Sequence, residues 1–154
     1  MRDVVDLNEL YPLIEEVISK GGTFRLFPRG TSMEPLIHAG EDSVLLGEAK
    51  DIQNGDVLFY KRENGNFVIH RLIEKRGNTL TMCGDHQIGL EYGVLPSQVL
   101  AKMVGYYKGE VYHDITEPEY LDYTKKTLAR FPFYRKNPTI YKLLRKIKHL
   151  FKKS

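Results

Sequence analysis

One cysteine, Cys83, in 154 residues excludes a disulfide-stapled domain and a Cys-rich zinc site. No stretch of the chain approaches the ~20 consecutive apolar residues that a membrane-spanning helix needs. The opening, MRDVVDLNEL, has acids where a secretory signal needs a basic start and an unbroken apolar run, so the chain is expected on the cytoplasmic side. Acidic residues themselves run out at Asp122. Positions 124–154 hold eleven Lys and Arg and no acid, whereas positions 1–123 hold twelve bases against twenty acids. The formal charge of +3 therefore conceals an acidic body with a cationic tail, and such tails meet lipid headgroups, nucleic acid or the acidic body itself.

What remains is the composition of a globular domain, 42% hydrophobic and 28% charged at 17.8 kDa. A chain of this length buries roughly 68–70% of its unfolded surface. Leu7, Leu10, Leu13, Ile14, Val17 and Ile18 share one face at helical spacing, which predicts a helix over 6–20 that Gly21-Gly22 ends. Short apolar runs then follow at 23–27, 43–46, 57–61, 66–73, 79–83 and 98–108, the spacing of an all-β domain. A further strand is expected at 109–112. Glu63-Asn64-Gly65-Asn66 and Lys75-Arg76-Gly77-Asn78 read as hairpin loops, making strands three to five an antiparallel meander. After Thr116-Glu117-Pro118 the chain turns basic, and Pro132 and Pro138 are expected to limit any helix there to pieces. Over 139–151 Leu143, Leu144, Ile147 and Phe151 oppose Lys142, Arg145, Lys146 and Lys148, a short basic amphipathic helix. Three segments result: a helix within 1–22, a β domain over 23–116 and a basic tail over 117–154.

Chemistry concentrates in a few short blocks. Arg29-Gly30-Thr31-Ser32-Met33-Glu34-Pro35 sets a small hydroxyl in a turn after a strand. A serine is a poor nucleophile at neutral pH unless a base takes its proton. His70, mid-strand in Val68-Ile69-His70-Arg71, can be brought back by the meander, and the next turn delivers Gly84-Asp85. Nucleophile, base and orienting acid form the logic of a catalytic triad.

These blocks resemble those of the type I signal peptidases and, more widely, the signal-peptidase and LexA-like serine peptidases. Gly30-Thr31-Ser32-Met33-Glu34-Pro35 resembles the block around that group's nucleophile. Gly40-Glu41-Asp42-Ser43-Val44 and Asn54-Gly55-Asp56-Val57 resemble the two Gly-Asp blocks that follow. Ile69-His70-Arg71-Leu72-Ile73 is similar to the His-Arg context of the endoplasmic-reticulum and archaeal type, whose base is histidine. Cys83-Gly84-Asp85 resembles the block that supplies the acid, and Val104-Gly105 the closing Val-Gly. The resemblance implies a partly open β-barrel domain and a serine endopeptidase acting on a peptide or protein substrate without a cofactor. It assigns Ser32 as nucleophile with its own N–H in the oxyanion hole, His70 as general base and Asp85 as orienter. Gly30, Thr31, Met33 and Pro35 shape the loop and line the substrate. Three positions depart from the pattern: Gly30 stands where a hydroxyl donor is usual, His86 replaces an asparagine, and Glu91 stands in for the second acid of the endoplasmic-reticulum type. Whether a dyad or a triad operates, and whether its acid is Asp85 or Glu91, stays open on the sequence.

The plainer readings are a turn serine bonding a local N–H, a half-buried strand histidine and a turn aspartate; only the order of the blocks outweighs them. A second function is a peptide-binding module of the same fold with little catalysis, held at an anionic membrane surface by its tail. Nucleic acid is disfavoured as a partner, because no helix-turn-helix fits in the 22 residues before the β domain. His38, His86, His113 and His149 lack mutual ligand spacing, so no metal is expected.

Overall fold

The computed structural model describes residues 6–136 and, beyond them, positions 139, 143, 146 and 147. The first helix, α1 (Leu7–Ser19), starts at Asp6, whose carboxylate accepts from the Asn8 N–H as an N-cap acid does. Its apolar face, Leu7, Leu10, Ile14 and Ile18, turns into the core. At the far end the N–H groups of Gly21 and Gly22 bond back to Ile18 and Val17, with Gly21 at a φ of +80° that suits glycine.

Eight strands follow among the described residues: β1 (Phe24–Leu26), β2 (Ser43–Gly47), β3 (Val57–Lys61), β4 (Phe67–Arg76), β5 (Thr79–Cys83), β6 (Glu91–Val94), β7 (Val99–Lys108) and β8 (Val111–Asp114). They form one antiparallel sheet in the order β1-β2-β7-β3-β4-β5-β6, with β8 on β7. The meander over β3, β4 and β5 is as the hairpin loops predict. The strand expected at 109–112 lies two residues later, and β6 has no counterpart among the expected strands. Glu91-Tyr92-Gly93-Val94 is short and carries a glycine and an acid, both poor strand formers.

No ladder joins β1 to β6, so the sheet is open. It is nonetheless strongly curled. The Tyr60 hydroxyl on β3 donates to Glu91 on β6 at 2.6 Å, although three strand spacings of a flat sheet would separate them by ~14 Å. Curling divides the interior in two. One core holds α1, the loop after β1 and the inner residues Val44, Leu46, Phe59 and Met103. The other lies inside the curl of β3 to β6, around Leu58, Tyr60, Leu72 and Met82.

The segment after Pro118 differs from expectation. A single helix, α2 (Pro118–Lys136), runs through Pro132 instead of breaking there. An interior proline forfeits one helical hydrogen bond and costs roughly 3 kcal/mol. Here that cost is offset by tertiary anchoring, since Tyr120, Thr127 and Phe131 are buried and Arg130 donates to the Asp85 carbonyl. The front of the basic segment is thus docked on the β domain. No helix among the described residues is long and apolar enough to cross a membrane. Of the tail cations, Lys142, Arg145 and Lys148 lie outside the described residues, while Lys146 is helical and exposed together with Leu143 and Ile147.

Candidate active site

Ser32 sits in the loop between β1 and β2. Gly30 enters it at a φ of +78°, a left-handed turn that favours glycine, and Gly30 and Thr31 are both exposed. Met33, Leu36 and Ile37 plunge into the first core directly after the serine, so the turn is anchored by burial. The Glu34–Pro35 peptide is cis. Farther along, the Asp42 carboxylate accepts from the His38 and Gly109 N–H groups and from Lys108, whose ammonium also donates to the carbonyls of Pro35 and Leu36. Burial opposes the Asp42 charge, but Lys108 and the two N–H groups prevail and hold its pKa down to about 2. The Gly40–Val44 block is therefore a buttress that fixes the serine loop to the turn between β7 and β8.

A second block meets the serine from the turn after β5. The His86 N–H donates to the Ser32 carbonyl at 2.9 Å. A Cβ on Gly84 would stand 2.5 Å from that carbonyl oxygen and 3.0 Å from the Ser32 Cβ, closer than packed atoms approach. Glycine is required by this contact, and Gly84→Ala is expected to displace the serine loop. Overpacking of this kind costs roughly 1–3 kcal/mol, so thermal denaturation should read that loss.

His70, on β4 opposite Leu58, lines the same cleft of about 950 Å³ as Ser32. Their side chains share no hydrogen bond among the described residues. Only 6% of His70 is exposed, and burial pushes its pKa down to about 4. The imidazole is thus neutral at pH 7. Its Nδ1 lies 3.4 Å from the Tyr60 hydroxyl, which bonds Glu91. Arg62 in turn grips both Glu91 oxygens through Nε and Nη2, at 3.0–3.3 Å. Burial works against the Glu91 charge, yet Arg62 and Tyr60 outweigh it and keep the carboxylate below its ordinary pKa.

Asp85 is placed otherwise than a triad acid requires. Its Oδ1 accepts from Arg71 Nε and its Oδ2 from Arg71 Nη2, each at 2.8 Å, and Oδ2 also accepts from the Tyr123 hydroxyl. No hydrogen bond links it to His70 among the described residues. Arg71 continues to the Gly55 carbonyl and, on α2, to Tyr120 and Thr124. Burial opposes its charge, but Asp85 more than compensates and raises its pKa. The physical reason is orientation along β4: consecutive side chains point to opposite faces, so Arg71 takes the acid on one face while His70 points into the curl on the other.

Cys83, beside this site, is held as a neutral thiol, because burial pushes its pKa up to about 12. Three of the site's members carry no motif in the sequence: Tyr60 and Arg62, which bracket the end of β3, and Tyr123 on α2. Their only signal is polar or aromatic character, Tyr60 and Tyr123 against a core and Arg62 at its rim. No protein-family model matches this chain, and no curated protein does.

Proposed function

We propose that the chain is a signal-peptidase-like serine endopeptidase. The observation that carries this reading is that Ser32 and His70 line one cleft whose walls end in unpaired strand edges. β1 pairs only with β2, and β5 begins to pair with β4 only at Arg71. Leu72 exchanges hydrogen bonds with Gly55 and Asp56 on the β3 side, so by alternation Ile69 and Phe67 direct their backbone groups away from β3. An extended peptide can add there as a strand, through main-chain bonds that do not depend on its sequence.

In this mechanism Ser32 Oγ attacks the scissile carbonyl while its proton passes to His70 Nε2. The tetrahedral oxyanion is held by backbone N–H donors, that of Ser32 among them. Collapse breaks the C–N bond, His70 returns the proton to the leaving amine, and water then releases the acyl group by the same steps in reverse. Gly30 offers no hydroxyl to the oxyanion, so backbone donors carry that task.

The missing Ser32–His70 hydrogen bond favours a second reading, a peptide-binding module of the same architecture. A fluorophosphonate probe read by intact-protein mass spectrometry separates the two. A single adduct on wild type, none on Ser32→Ala and a much slower reaction of His70→Ala support the peptidase. Folded wild type that stays unlabelled while binding peptide establishes the module.

A further inference from the structure

We propose that Tyr60 and Glu91 form the positioning relay of His70, taking the place that a triad gives to an aspartate. The inference rests on the peptidase reading of Ser32 and His70 and follows from counting protons. Tyr60 is fully buried and has one hydroxyl proton to give. Glu91 accepts it at 2.6 Å and is held ionised by two Arg62 donors, so it has no proton to offer in return. The Tyr60 oxygen therefore meets His70 Nδ1, 3.4 Å away, as an acceptor. Nδ1 must be the protonated nitrogen, and Nε2 keeps the lone pair that receives the Ser32 proton. A neutral imidazole in the opposite tautomer would put two lone pairs face to face at Tyr60 and could not act as base at Nε2.

Asp85 does not supply this orientation: its carboxylate is turned to Arg71 and Tyr123, and no hydrogen bond links it to His70 among the described residues. It acts on His70 only as a more distant charge, weaker than those of Arg62 and Glu91. The sheet's curl is what makes the substitution possible, because it folds β6 back over β3 and brings a carboxylate from the far strand to the base. Tyr60 and Glu91 are positioning residues, neither of them facing the reacting atoms.

Long-range 1H–15N correlation spectra of His70, with Tyr60→Phe, Glu91→Gln and Asp85→Asn beside wild type, test the relay directly. Tyr60→Phe keeps the ring and leaves Glu91 on Arg62, and Glu91→Gln keeps an acceptor for Tyr60. Wild type should show Nδ1 protonated at pH 7. Tyr60→Phe should shift the population toward the Nε2–H form and slow fluorophosphonate labelling by about tenfold or more, a wrong tautomer costing up to ~10⁴ in a triad enzyme. Asp85→Asn, where folded, should leave the tautomer as it is. A wild-type Nε2–H imidazole, or a tautomer that moves with Asp85→Asn and ignores Tyr60→Phe, overturns the relay. The tautomer is read without any activity, so an unlabelled wild type would count against the peptidase reading, whereas an unmoved tautomer would count against the relay alone.

Discussion

Asp85→Ala is expected to destabilise the protein by about 3–5 kcal/mol, the usual cost of stranding one member of a buried ion pair. Arg71 is fully buried and Asp85 is 2% exposed, so the guanidinium left behind has no water to turn to. The loss does not stop at the pair. Arg71 also holds the Gly55 carbonyl and two hydroxyls of α2, while Arg130 of α2 binds the Asp85 backbone and Tyr123 its carboxylate. Urea denaturation monitored by circular dichroism gives the number. The double variant Arg71→Met with Asp85→Leu should recover most of the stability, because replacing both charges removes the desolvation penalty along with the attraction. A single-variant loss below ~1 kcal/mol would mean that water reaches the pair. Placing Asp85 in the structure also separates two effects that a catalytic acid would merge: Asp85 variants should lose stability first and labelling only as far as α2 and the serine loop move, whereas on the proposed relay Tyr60→Phe should lose labelling with a smaller loss of stability, about 1.5–3 kcal/mol for the hydroxyl's bond to Glu91.

How far the sequence could be read follows from the range over which each signal acts. The helix over 6–20 is visible because its apolar spacing and its terminal glycines are both local, and α1 occupies Leu7–Ser19. The meander is visible for the same reason, each hairpin being marked by its own Asn and Gly residues. Pro132 misleads, since the rule that prolines break helices is local and the burial of Tyr120, Thr127 and Phe131 that overrides it is not. At the site, Ser32 and His70 stand out as residues whose side chains need explanation in their blocks, and they line one cleft. Of the proposed orienting pair, Glu91 is marked in the sequence only as a stand-in acid beside Asp85, and nothing marks Tyr60. Tyr60 and Glu91 lie 31 positions apart in sequence and meet only because the sheet curls. No periodicity within β3 or β6 encodes that closure. Asp85 is conspicuous as a turn acid after a glycine, yet its partner is the residue next to His70, and one step along a strand reverses the face.

Below pH 7 the folded chain should lose stability in a step that belongs to His70. Burial holds its pKa at about 4 in the folded state, against ~6.5 for an unperturbed histidine. Above that higher value both states are neutral, and the residue adds no pH dependence. Between ~6.5 and ~4 the unfolded chain binds a proton that the folded chain refuses, so stability falls as the pH falls, by ~1.4 kcal/mol per unit and about 3 kcal/mol over the window. Below that window folded His70 is protonated as well and the contribution levels off. Asp42, held at about 2, adds acid lability only lower down, once its carboxylate begins to be protonated in the unfolded chain. Urea titrations at pH 7, 5.5 and 4.5 on wild type and His70→Gln isolate the histidine's share, which should vanish in the variant. On the proposed peptidase reading, the same low pKa keeps His70 competent as base in mild acid. The acid limb of kcat/KM, or of the second-order labelling rate, should therefore have its midpoint near pH 4. A midpoint near 6.5, with equal pH dependence of stability in wild type and His70→Gln, would place the imidazole in water and remove the buried, Tyr60-facing geometry on which the relay depends.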